Sequence, residues 1–276
     1  MKKEERLQLL DAIRTNDLDY IKKLLLGNTD DWLAVPLLDG LFAFQLAARY
    51  GRLEMVQLLL AEHPNLLNSR DVFDQTAILW AAASGHELIV DFLALCGADL
   101  SLATNHPGHA DDGKSPLYWA IEHKNPIIAQ CLINHGASIN LRFGEDKLHL
   151  IHIASENGCL SVVQSLMEID SNLLNLVDAL GETPIHKAAA SGQWHVVDYL
   201  ATRGADLSLT TNKGKSPLYW ATVGGYHNAV RCLINHGADI NQRFGEKKLH
   251  LIHLASSEGY LDIVSIFLEI NSDFLN

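Results

Sequence analysis

The chain repeats itself about every 33 residues along almost its whole length, and this period constrains the fold more than any other feature. A unit of that size buries too little surface alone to offset an ordering cost of roughly 1–2 kcal/mol per residue of backbone. Such units stack and share one continuous core. The clearest copy opens at Asp178. It carries Gly181, Thr183, Pro184, Ile185, His186, Ala188 and Ala189, then Gly192, Val196, Val197 and Leu200, and closes on Gly204-Ala205-Asp206. Weaker copies hold Phe42-Ala43-Phe44-Gln45, then Thr76 with Ala81-Ala82, Ser115-Pro116-Leu117-Tyr118, and His149-Leu150-Ile151-His152. Two more hold Ser216-Pro217-Leu218-Tyr219 and His250-Leu251-Ile252-His253.

These residues resemble the ankyrin repeat, a β-turn, helix, tight turn, helix and loop. The resemblance covers nearly all of the chain. It implies an all-α solenoid of about seven repeats with β-turn fingers and an N-terminal helical cap. The expected divisions of a single 1–276 domain are a cap at 1–35 and repeats at 36–70, 71–105, 112–142, 143–177, 178–210, 211–242 and 243–276, with a finger insertion at 106–111. The cap rests on Leu7, Leu10, Ile13, Ile21, Leu24 and Leu25 at helical spacing. Thr or Ser before Pro predicts a helix N-cap followed by a first helical residue that needs no N–H. Gly85, Gly158, Gly192 and Gly259 predict left-handed ends of first helices.

A second level of repetition lies above the first. Residues 113–175 and 214–276 match at more than half their positions, CLINHGA and KLHLIH among them, which points to duplication of a three-repeat cassette. Within this match Ile121–Gln130 and Thr222–Arg231 share no aligned residue. That block is expected either to meet different parts of a partner in the two cassettes or to have drifted at exposed positions. The second helix from Tyr260 to Asn276 is rich in Ile263, Val264, Ile266, Phe267, Leu268 and Ile270. It needs a following cover, so the chain is expected to continue beyond Asn276.

Several function classes are disfavoured. A formal charge of -12 argues against nucleic acid. No apolar run reaches the length of a membrane span, and MKKEERLQLLDAIR is too charged for a signal peptide. A cytoplasmic monomer is expected, in the host cytosol if the chain is a secreted effector. Cys96, Cys131, Cys159 and Cys232 fit neither a zinc nor a disulfide framework and read as reduced, buried thiols. His149 with His152 and His250 with His253 are spaced for shared faces, but no acidic or Cys partner stands at ligand spacing nearby, and His106 with His109 beside Asp111 and Asp112 falls in an insertion expected to be an exposed loop. No nucleophile or phosphate-loop motif is present. Catalytic residues, metal and cofactor are therefore all expected to be none.

What remains is recognition. In the family, the first helices and the fingers line a concave groove that grips protein partners. Trp80, Trp119 and Trp220 occupy one repeat-equivalent position just before the first Ala of helix one, where Lys187, Ile153 and Leu254 stand in other repeats. Trp is enriched where binding energy concentrates. Packing of the indoles against the neighbouring helix is the competing reading. Phe73 and Leu180 on fingers, Glu122 and His123 at a helix end, and Lys187 complete the candidate partner-binding set. The alternative function is a substrate-targeting region of a larger enzyme, or of an ankyrin effector of the kind intracellular bacteria secrete.

Overall fold

The computed structural model describes residues 3–27, 32–104, 113–244 and 249–270. The finger insertion at 106–111, with His106, His109 and Asp111, lies outside the described residues, as do Asp112 and the last six residues. The chain forms two compact units, Met1–Ile139 and Asn140–Asn276.

The first unit begins with the pair α1 (Lys3–Thr15) and α2 (Leu18–Leu26). Asp17 caps α2 by accepting the Tyr20 N–H at 3.0 Å. The buried stripe of this pair is Leu9, Ala12, Ile13 and Ile21. It differs from the stripe read in the sequence, since Leu7 is exposed and Leu10, Leu24 and Leu25 are only half-buried. Three helix pairs follow: α3 (Ala43–Arg49) with α4 (Leu53–Glu62), α5 (Ala77–Ser84) with α6 (Glu87–Leu95), and α7 (Pro116–Glu122) with α8 (Pro126–Asn134). First helices form one layer, α5 lying between α3 and α7. Second helices form the other, α6 lying between α4 and α8.

The second unit repeats the plan. A two-residue hairpin, β1 (Arg142–Phe143) on β2 (Leu148–His149), leads into α9 (Leu150–Asn157) and α10 (Leu160–Ile169). Then come α11 (Pro184–Ala190) with α12 (Trp194–Thr202), and α13 (Pro217–Val223) with α14 (His227–Asn235). A second hairpin, β3 (Arg243–Phe244) on β4 (Leu249–His250), precedes α15 (Leu251–Ser257) and α16 (Leu261–Ile270). Among the described residues, seven helix pairs thus follow the N-terminal pair. The fingers before α9 and α15 are short antiparallel ladders, which the all-helical expectation did not include.

Small residues make the first-helix layer possible. Ala81, Ala82, Ala188 and Ala189 are fully buried where adjacent first helices meet. The second helices bury a branched stripe, as with Ile89, Val90 and Leu93 on α6. Full burial of each such side chain is worth roughly 1.5–3 kcal/mol. Gly85 ends α5 at φ 82°, a left-handed conformation that a β-carbon resists.

The caps divide by residue type. Ser115 and Ser216 accept the Tyr118 and Tyr219 N–H groups, both at 3.2 Å. Thr183 caps its helix through a reciprocal capping box with His186. Its hydroxyl donates to His186 Nδ1 at 2.7 Å, and its own N–H reaches the same nitrogen at 3.2 Å. His186 Nε2 then donates to the Lys215 carbonyl at 3.2 Å, tying one repeat to the next. His152 does the same from α9, accepting from the His149 N–H and donating to the Leu176 and Glu182 carbonyls. Among the described residues no helix is long and apolar enough to cross a membrane.

Candidate functional site

Each finger is organised by the residue that opens it. Asp71 Oδ1 accepts the Phe73 and Gln75 N–H groups at 2.8 and 2.9 Å. Asp178 Oδ1 accepts the Leu180 and Glu182 N–H groups, both at 2.8 Å. A carboxylate has a second oxygen, and both fingers use it to hold the variable residue of the following first helix. Asp71 Oδ2 accepts Trp80 Nε1 at 2.7 Å. Asp178 Oδ2 lies 3.2 Å from Lys187 Nζ, which also pairs with Glu182.

Thr104 and Thr211 open the corresponding fingers of the duplicated repeats. Thr104 Oγ1 accepts the Lys114 N–H at 3.0 Å, and Thr211 Oγ1 accepts those of Lys213 and Lys215 at 3.3 Å. A hydroxyl has no second oxygen to offer. The Nε1 atoms of Trp119 and Trp220 are accordingly buried with no hydrogen-bond partner among the described residues. An unmet buried donor costs about 1–3 kcal/mol. Thr211→Asp is therefore expected to stabilise the protein by about 1 kcal/mol, read as a raised thermal midpoint. A lowered midpoint would contradict this account of the finger.

The structure sorts the expected partner-binding residues. Trp80 is half-buried, hydrogen-bonded, and covered by the Arg49 guanidinium at 4.9 Å from its ring. Lys187 is held by its two carboxylates, and the burial that would lower its pKa is outweighed by them, so the pKa is raised. His123 is exposed, yet its Nδ1 lies 2.6 Å from the Ala83 carbonyl and its ring stands 5.4 Å from that of Trp119. These three make contacts within their own unit. Trp119 and Trp220 are half-buried, Glu122 is exposed, and the finger residues Phe73 and Leu180 are each about two-fifths exposed, at 38% and 42%.

Two lysines belong with the duplicated indoles. Lys114 Nζ stands 4.6 Å from the Tyr118 ring and 4.9 Å from the Trp119 ring, and Lys215 Nζ stands 3.9 Å from Tyr219. Each Tyr meets its neighbouring Trp edge-on at 84°. The identical KSPLYW segments carried this signal. Reading only the Trp position missed it.

The adjacent histidine pairs offer little to a metal. Both ring nitrogens of His152 are engaged within the backbone, and burial lowers its pKa to about 4, as it does for His186. His253 Nδ1 likewise accepts the His250 N–H. The cysteines depart from the expectation of buried thiols. Only Cys159 is buried, Cys131 and Cys232 are half-buried, and Cys96 is exposed. Large residues at neighbouring positions already fill the core, leaving these thiols at its rim.

Against known proteins, the chain matches the family model described as ankyrin repeats (3 copies) over residues 9–104, 68–143, 102–174, 150–244 and 204–276. The chain belongs to the ankyrin-repeat family. Rabankyrin-5 of Mus musculus is 26% identical over 174 residues, which is 63% of this chain and 14% of that protein. The transient receptor potential cation channel subfamily A member 1 of Homo sapiens is 34% identical over 97 residues, 34% of this chain and 9% of that protein. The chain thus spans a small part of the curated relatives it matches. Among solved structures, the ankyrin repeat domain of Bcl-3 superposes with a TM-score of 0.64 at 24% identity, covering 82% of this chain and 99% of that one. A chain from the complex of the Bdellovibrio bacteriovorus predatory endopeptidase Bd0816 with its immunity protein Bd3460 gives 0.62 at 27% identity, covering 70% and 96%.

Proposed function

We propose that the chain is a protein-binding module that uses its first-helix layer and fingers, the concave side of the family's solenoid, with Trp119 and Trp220 as anchors. The observation that carries this reading is the pair of half-exposed indoles whose N–H groups find no hydrogen-bond partner among the described residues, in contrast to the hydrogen-bonded Trp80. An indole with no such partner can settle against an incoming surface at little cost in lost internal bonds. Phe73, Leu180 and Glu122 extend the surface. Membership of a family that generally serves protein interaction supports the reading, and one similar structure comes from a complex between two proteins. No catalytic role is proposed within these residues.

A photo-cross-linking residue at Glu122 tests the choice of face. On a bound partner it is expected to give an adduct, while the same residue at Leu95, exposed on second helix α6, gives none. An adduct from Leu95 alone would place the interface on the opposite layer.

A further inference from the structure

The second-helix layer holds a side-chain cluster twice, once in each cassette. Asp91 on α6 meets Cys131 on α8 and the C-cap residue His135, and Asp198 on α12 meets Cys232 on α14 and the C-cap residue His236. In each cluster the three donor atoms lie within 4.8 Å of one another. Cys and His stand four residues apart, so one helix turn places them on a single face. Packing of consecutive second helices supplies the carboxylate.

The spacing is that of a coordination shell. Asp91 Oδ1 lies 3.6 Å from Cys131 Sγ and 3.1 Å from His135 Nε2. Asp198 Oδ1 lies 3.6 Å from Cys232 Sγ and 2.9 Å from His236 Nε2. A tetrahedral zinc ion, with sulfur about 2.3 Å and nitrogen or oxygen about 2.1 Å away, separates sulfur from oxygen by about 3.6 Å and nitrogen from oxygen by about 3.4 Å. The sulfur–oxygen distance already fits. The nitrogen–oxygen distance needs to open by a few tenths of an ångström, which an exposed Asp side chain allows.

We propose that each cluster binds one divalent transition-metal ion of the zinc class through Asp, Cys and His, with water in the fourth position. Thiolate, imidazole and carboxylate together suit a borderline-soft ion and not calcium or magnesium, which take oxygen shells. The ion staples two consecutive second helices at the rim of the core. A cysteine binds a metal as the thiolate, so binding breaks an S–H bond, forms a metal–sulfur bond and releases one proton to solvent at each site.

The two sites differ in their surroundings. Glu87 adds negative charge near Cys131, whereas Arg231 lines the same surface depression as Asp198, Cys232 and His236. Gln130 stands where Arg231 does in the other cassette. Arg231 is also paired with Glu269 at 3.7 Å, which offsets part of its charge, so the Asp91 site should bind the more tightly and Arg231→Gln should narrow the gap.

Titration of the full chain with Co2+ under reducing conditions tests the proposal by visible absorption. Two equivalents are expected, with a thiolate-to-metal charge-transfer band. Cys131→Ser should remove the tighter half, Cys232→Ser the weaker, and Asp91→Asn should weaken the first without removing a thiol, all with unchanged helical circular dichroism. Zn2+ should raise the thermal midpoint of the parent and not of the double Cys→Ser variant. Absence of the charge-transfer band, or its persistence in the folded double variant, would overturn the assignment.

Discussion

Lowering the pH from 7 to 4.5 is expected to remove about 4 kcal/mol of folding stability, because two imidazoles in the second unit must stay neutral to hold it together. His152 and His186 are fully buried, and burial lowers both from 6.5 to about 4. Each uses Nδ1 as acceptor and Nε2 as donor, an arrangement that a second ring proton destroys. The unfolded chain binds more protons than the folded chain between about pH 4 and 6.5. The stability these groups contribute is thus complete above that window and lost as the pH falls through it, at up to about 3 kcal/mol for each group. The carboxylates whose pKa is lowered, Asp99, Asp198 and Asp206, are held below the ordinary carboxylate value and titrate beneath this window. Urea unfolding followed by circular dichroism at both pH values checks the expectation, and His186→Gln should flatten the dependence. A midpoint that does not move between pH 7 and 5 would show that these histidines are not the linkage between repeats.

The fold was legible because the repeat writes local rules at fixed positions. Ser115 and Ser216 cap, Pro184 opens a helix, Ala188 and Ala189 allow close approach, and each of these acts within a few residues of itself. The site was legible only in part. The three tryptophans are equivalent in sequence, and what separates Trp80 from Trp119 and Trp220 is the opening finger residue nine to fifteen positions earlier, Asp71 before Trp80 against Thr104 before Trp119 and Thr211 before Trp220. The carboxylates of Asp178 and Glu182 around Lys187 are not evident from its repeat position. Nor is the Ala83 carbonyl that His123 meets, 40 residues away in sequence. The Asp-Cys-His clusters join residues 44 and 38 apart. Pairing histidines with their sequence neighbours could not find them, although CLINHGA, present twice, placed Cys and His one turn apart.

Loss of Trp119 and Trp220 is expected to have the largest effect on binding. Truncating a central indole anchor costs 2 kcal/mol or more of binding free energy, a loss of about thirtyfold in affinity or greater. The effect on folding should be smaller, since removing each indole also removes a buried N–H that has no partner. Trp80→Ala should behave in the opposite way, because it leaves Asp71 Oδ2 and the Arg49 guanidinium without their indole. The most direct measurement compares the parent, Trp119→Ala/Trp220→Ala and Trp80→Ala for affinity toward a protein captured by the parent, each checked for helical circular dichroism. A loss confined to the Trp119→Ala/Trp220→Ala variant is the result this account predicts. Equal affinity of that folded variant and the parent would contradict it.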